Sequence, residues 1–240
     1  MTSLLAGAVV VLATIVQRLT GMGFGVVAVP LLALVAPAYG IFSVLVLTIA
    51  VMAIAAWVER DALDARSLAI ASAASLPGIA LGTVLASRLP LAATHFAIGA
   101  IVIAGSAASL AGWRIAPGRP SLVAGAVAAG VLTPIAALPG PPMALVYRPE
   151  DVRRMRATLS AFFAVGSIVA AVTALAAGVA DPVAESGRAA VLVPAILLGV
   201  ILAVPLVRRL HRRVVQSAAL LLSLCSGAAL LIRAIAESAT

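Results

Sequence analysis

Six stretches of this chain, roughly 38–58, 67–88, 91–112, 158–180, 188–207 and 214–234, run with scarcely a charge. Each is close to the length of about 20 apolar residues that a helix needs to cross the hydrocarbon of a bilayer. Inside lipid the backbone has no water to bond, so a run of this kind closes its own hydrogen bonds as a helix. Composition agrees: 64% of the residues are hydrophobic and 10% charged, against about 45–50% and 25% in soluble domains. Soluble enzymes, nucleic-acid binders and disordered segments are excluded. The single cysteine, Cys225, rules out an intrachain disulfide or a CxxC redox pair. The first apolar run, Leu4 to Val16, lacks a basic leader and a small-x-small cleavage site, and reads as a retained membrane segment. The expectation is an all-α polytopic membrane protein.

Two further stretches are apolar but broken. Residues 3–36 are interrupted at Gly21-Met22-Gly23-Phe24-Gly25, and residues 121–148 at Leu138-Pro139-Gly140-Pro141-Pro142. Each either crosses once or enters and returns as a helix pair meeting at the break. The basic residues, 16 arginines and no lysine, choose between these. If each broken stretch returns, linkers 58–66, 113–119, 148–156 and 208–213 share a face holding 12 arginines, against Arg88, Arg188 and Arg233 on the other. If each crosses once, the split falls to 9 against 6. Cytoplasmic loops collect basic residues, so the first arrangement is favoured, with both termini outside. Whether the pairs meet in mid-membrane or cross as hairpins is left open by parity.

The halves also align. A shift of 117 places Leu76-Pro77-Gly78 with Gly82 on Val193-Pro194-Ala195 with Gly199, Gly23 on Gly140, Ser43 on Ser160, and Ser106 on Ser223. Residues 1–117 and 118–240 therefore read as two inverted repeats in one membrane domain. Each holds three spanning helices plus a broken or re-entrant pair. Inverted repeats with broken helices are common in secondary transporters, which bind substrate near the midplane between the repeats.

The breaks carry the candidate site. Gly21, Gly23 and Gly25 free the backbone to turn, and Pro141 and Pro142 suit the first turn of a new helix. Half-helices beginning near Val26 and Met143 would aim positive dipole ends and N–H groups into the core, where they favour an anion. The competing reading is a packed turn with nothing bound. Gln17, Arg18 and Thr20 flank the first break. A charge at membrane depth costs roughly 2.5 kcal/mol or more, so Arg18 is either an anion contact or a side chain snorkelling from a helix end. Its counterpart in the second half is Ile135, while Thr133 offers a hydroxyl nearby. Ser43 and Ser160 occupy equivalent places after the breaks. They either face the site or bond their own helices.

All eight acids are expected in linkers or at the tail, which argues against a buried carboxylate proton relay. His95 is read as a satisfied or interfacial residue near a helix end, and His211 as part of a solvated turn. The arginines around His211 suit anionic lipid.

The run Gly21-Met22-Gly23-Phe24-Gly25-Val26-Val27-Ala28-Val29-Pro30-Leu31-Leu32 resembles the start of the TauE/SafE family of sulfite-exporter-like permeases. Leu138-Pro139-Gly140-Pro141-Pro142 resembles that family's second-half repeat of the motif, and residues 76–82 its third-helix pattern. Phe24 departs from the family's glycine run and reshapes the pocket there. The resemblance covers essentially the whole chain. It implies a permease for small sulfur-containing anions, sulfite or organosulfonates, working outward in a bacterial cytoplasmic membrane. No paired Asp, acid-rich motif or buried Ser/His set is expected at span depth, so no enzyme activity is expected. Two histidines and eight acids leave little for a metal, and no cofactor is expected. The expected partners are the anion, membrane lipid and a second copy in a homodimer, with no nucleic acid. A passive anion channel and a non-transporting assembly protein are the alternative readings.

Overall fold

The computed structural model describes residues 2–113, 115–209 and 211–238, and among these all regular structure is helical. The first break separates α1 (Thr2–Thr20) from α2 (Phe24–Val35), and the second separates α6 (Arg119–Ala136) from α7 (Gly140–Val146). Between and after them run α3 (Ile41–Val58), α4 (Ala65–Ala86), α5 (Leu91–Leu110), α8 (Val152–Ala176), α9 (Pro182–Val191), α10 (Val193–Arg209) and α11 (Arg212–Ser238). Among the described residues, eight helical stretches are long and apolar enough to cross a membrane, counting α9 and α10 together.

The half-helices begin earlier than the sequence suggested, at Phe24 and Gly140 rather than near Val26 and Met143. In each broken pair the arms are unequal: α1 and α6 have 19 and 18 residues, α2 and α7 only 12 and 7. At about 1.5 Å per residue, the entering arm is long enough to span and the returning arm is not. The span expected over 158–180 starts instead at Val152, because Asp151 accepts a hydrogen bond from the Arg153 N–H at 2.8 Å and caps it. The span expected over 188–207 extends back to Pro182, capped by Asp181, and is divided at Leu192 just before Pro194.

Burying apolar surface does little to join helices in lipid, which is itself apolar, so close packing has to do it. The tightest seam joins α4 to α6 (a methyl group on Gly78 would overlap the Val127 carbonyl, one on Gly82 the Val131 carbonyl, and one on Gly130 the Ser75 carbonyl). A related seam joins α1 and α10, where Gly199 lies against Thr14 and the Val11 carbonyl. Gly82 and Gly199 are 117 positions apart, as are Thr14 and Val131. The larger pattern repeats this exchange. The α4–α6 contact answers α10–α1, α4–α8 answers α9–α3, and α5–α7 answers α11–α2, while α3–α8 and α5–α11 pair across the halves.

The linkers sort into two ends. Arg156 Nε donates to Glu59 at 3.1 Å, Thr158 accepts from the Asp64 N–H, and the Ile115 N–H bonds the Leu145 carbonyl. His211 and Arg148 line one cavity. Linkers 58–66, 113–119, 148–156 and 208–213 thus gather at one end, flanked by the exposed Trp57 and Trp113, a placement typical of an interface with headgroups. Among these linker residues, Arg114 and Leu210, and the side chains of Arg208, Arg212 and Arg213, lie outside the described residues. At the opposite end Glu185 meets Ser43, Arg188 Nη1 donates to the Ala38 carbonyl, and His95 pairs with Glu237.

Candidate functional site

At the first break the sequence Gln17-Arg18-Leu19-Thr20-Gly21 turns back on itself. Gly21 takes φ 79°, a left-handed conformation open to glycine, and packs against the Arg156 stem. Gln17, fully buried, closes the turn. Its Nε2 donates to the Gly21 carbonyl at 3.1 Å, and its Oε1 accepts the N–H groups of Gly23 at 2.9 Å and Phe24 at 3.2 Å. One amide side chain therefore satisfies two of the donors that a helix start leaves open. Thr20 Oγ1 donates to the Val16 carbonyl at 2.8 Å.

The second break solves the same problem differently. Ala137 takes the left-handed conformation, φ 50°, and its N–H returns to the Thr133 carbonyl at 2.8 Å. Pro139, Pro141 and Pro142 then supply three positions with no N–H at all.

These breaks, more than 100 residues apart in sequence, touch. A methyl group on Gly25 would meet the Ala137 carbonyl and the Leu138 side chain. Two cavities flank the contact, and Gly23, Val26 and Gly140 line both. One, of about 20 Å³, lies among Gln17, Phe24, Gly25, Leu138 and Phe163, room for about one water. The other, of about 50 Å³, adds Pro141, Ala144, Ser106, Ser109 and Gln216. The larger one shares Met22, Ser109 and Gln216 with a vestibule of about 620 Å³ at the arginine end, where Arg148 and His211 stand. Gly140 takes no left-handed φ, and a methyl group there would meet nothing within 4 Å. Gly7, Gly166 and Gly187 share this openness; of the four, Gly140 lines both cavities.

The sequence candidates divide accordingly. Gly23, Phe24, Gly25, Gly140, Pro141 and Gln17 line the two cavities. Gly21 and Pro142 shape the turns without lining either. Arg18, part-buried near the end of α1, lines neither cavity. Thr133 is buried and donates to the Ala129 carbonyl of its own helix at 2.7 Å. Ser160 is buried in α8 away from both cavities. Ser43 is drawn to the other end: its N–H and hydroxyl donate to the Glu185 carboxylate at 3.0 and 3.3 Å, covering the start of α3.

The acids are not all in linkers. Glu185 lies in α9, and Glu237 lies in the last turns of α11, where it accepts from Arg233 and pairs with buried His95 at 2.8 Å. His211, exposed in the turn between α10 and α11 as expected, also lines the vestibule. Near the arginine end, the Ser67 N–H holds the Asp64 carboxyl below the usual carboxylate range, and burial pushes the Tyr147 phenol up.

Ser106, Ser109 and Gln216 were not singled out as site residues. The one signal in the sequence was the register of Ser106 with Ser223.

Neither the curated proteins nor the solved structures contain a match to the chain. The family model described as Sulfite exporter TauE/SafE matches residues 6–230. With that match over nearly all of a bundle of membrane-length helices, the chain belongs to the TauE/SafE sulfite exporter family of integral membrane permeases.

Proposed function

We propose that this protein exports a small sulfur-containing anion, sulfite or an organosulfonate, by alternating access. The anion is held where the two breaks meet, in the 50 Å³ cavity beside α2 and Gly140. The observation that carries the reading is the contact of the breaks around a glycine whose missing side chain leaves only space. Family membership supports the ligand class. On this reading residues 1–117 and 118–240 are inverted copies, a relation supported by the exchange symmetry of the helix contacts.

Charge supports the orientation. The arginine end faces the cytoplasm of a bacterial inner membrane, both termini lie outside, and Arg148 and His211 draw anions into the vestibule. At the opposite end lie cavities of about 150 Å³, beside Tyr39 and His95, and about 230 Å³, beside Phe42 and Glu185, both smaller than the vestibule. The inequality supports a conformation open inward and narrow outward, as a carrier between turnovers requires. The transport reaction calls for no covalent step: the protein's groups desolvate the anion, hold it and release it.

The test is uptake of labelled sulfite into proteoliposomes. Gly140→Val, whose Cβ would meet nothing within 4 Å, is expected to keep the fold and lower uptake by tenfold or more, about 1.4 kcal/mol or greater. Unchanged uptake would remove the site. Saturable exchange is expected; large unitary currents would make the protein a channel instead.

A further inference from the structure

Hydroxyls in membrane helices ordinarily bond a carbonyl one turn back, and most of those near the breaks do so. Thr20 donates to Val16, Thr48 to Val44, Thr133 to Ala129 and Ser223 to Ala219, all between 2.7 and 2.8 Å. Ser106 does not. It is 1% exposed, its hydroxyl has no hydrogen-bond partner, and it lines the 50 Å³ cavity. Thr14, Ser72 and Ser167 are also without a partner but line none of the cavities described. A buried donor left without an acceptor is costly, and at Ser106, in a cavity wall, this points to an acceptor supplied from outside the protein.

Its counterpart sharpens the point. Ser223, 117 positions later, shares its hydroxyl proton between the Ala219 carbonyl and, at 3.0 Å, the Val26 carbonyl, tying α11 to the half-helix α2. Equivalent serines thus have different employment: one fastens a half-helix, and the other faces the cavity beside α7. Ser109 and Gln216 line the same cavity and continue into the vestibule. Among the described residues the cavity is lined by neutral groups, and Arg148 and His211 stand farther out. Neutral donors suit one negative charge. A second charge would be buried without a counter-charge.

We propose that Ser106 is the innermost donor to the transported anion, with Ser109 and Gln216 at the mouth, and that this cavity takes the singly charged form of an oxyanion. The inference rests on the reading of the cavity as the anion site, and adds to it which side chain touches the ligand and which charge state enters. For sulfite, which gains or loses a proton near neutrality, it selects hydrogensulfite over the dianion.

The experiment measures uptake of sulfite and of methanesulfonate into proteoliposomes between pH 5.5 and 8.5. Methanesulfonate is singly charged throughout, so it reports any effect of His211, or of another protein group, on the rate. The ratio of sulfite to methanesulfonate uptake is expected to fall about tenfold per pH unit once the sulfite dianion dominates. Ser106→Ala should raise the half-saturating methanesulfonate concentration about tenfold. Ser106→Thr, which keeps the hydroxyl, should stay within about threefold of the parent. Ser109→Ala, at the open mouth, gives a second reading with less demand on folding, and is expected to cost a smaller factor. A flat ratio across pH, or half-saturation unchanged in both alanine variants, overturns the inference while leaving an anion permease. Failure of the parent protein to carry either anion overturns both.

Discussion

The two breaks, with Gly23 and Gly140 117 positions apart, keep their backbones satisfied by opposite means. At the first, a side chain is added: Gln17 reaches across the turn and meets the Gly21 carbonyl and the Gly23 and Phe24 N–H groups. At the second, donors are taken away: the position equivalent to Gln17 is Pro134, and Pro139, Pro141 and Pro142 bring no N–H to the turn. A capped turn and a donor-poor turn both avoid orphaned polar groups in lipid. Neither by itself presents the rich set of bare N–H groups that two helix starts would suggest. The polar character of the cavity comes largely from its neighbours α5 and α11, and the breaks supply shape.

Substitutions at the two turns separate these roles. Gly25→Val should be the most damaging, because the new side chain runs into the Ala137 carbonyl and forces the breaks apart. The expected loss is about 3 kcal/mol or more, read as lost thermal stability in detergent. Stability within error of the parent would mean that the two breaks are not held together there. Gln17→Leu follows, at about 2 kcal/mol, since it leaves one buried carbonyl and two N–H groups unpaired. Gln17→Glu keeps the acceptor and should recover part of that loss. A loss no greater for Leu than for Glu would show that the carboxamide caps nothing. The smallest effect belongs to Ala137→Gly. Relief of the left-handed backbone, about 1 kcal/mol, is partly offset by the freer unfolded chain. The net gain is expected to be about 0.5 kcal/mol, seen as a slightly higher melting temperature.

The sequence reading recovered the features set by local chemistry. Apolar length located the spans, the arginines grouped the linkers that the fold brings to one end, and the Gly/Pro clusters marked turns that do come together. It was less informative wherever a distant partner decides. Ser43 was expected to face the site or bond its own helix, but Glu185, 142 positions away, bonds it at the end away from the arginines. Gln17 was a candidate ligand contact by position, and the geometry of the turn gives its polar atoms to the backbone instead. Helix length misled at α8, where the polar first turn with Arg153, Arg154 and Arg156 hides a helix from an apolarity criterion although Asp151 is an ordinary cap. Ser106 resembles any other serine in an apolar helix. The absence of an acceptor, which Thr14, Ser72 and Ser167 share, sets it apart only together with its place in the cavity wall, a property of three-dimensional packing.

The α4–α6 seam has a consequence for how this sequence can drift. Along the lipid-facing sides, at positions such as Ile201 and Val204, one aliphatic residue can replace another with little to resist it. At Gly78, Gly82 and Gly130 even alanine, the smallest step available, is larger than the gap. The boundary between the halves is therefore recorded in what those positions lack. Divergent sequences of this kind should vary freely on their outer surfaces while remaining almost frozen along that line of missing methyl groups.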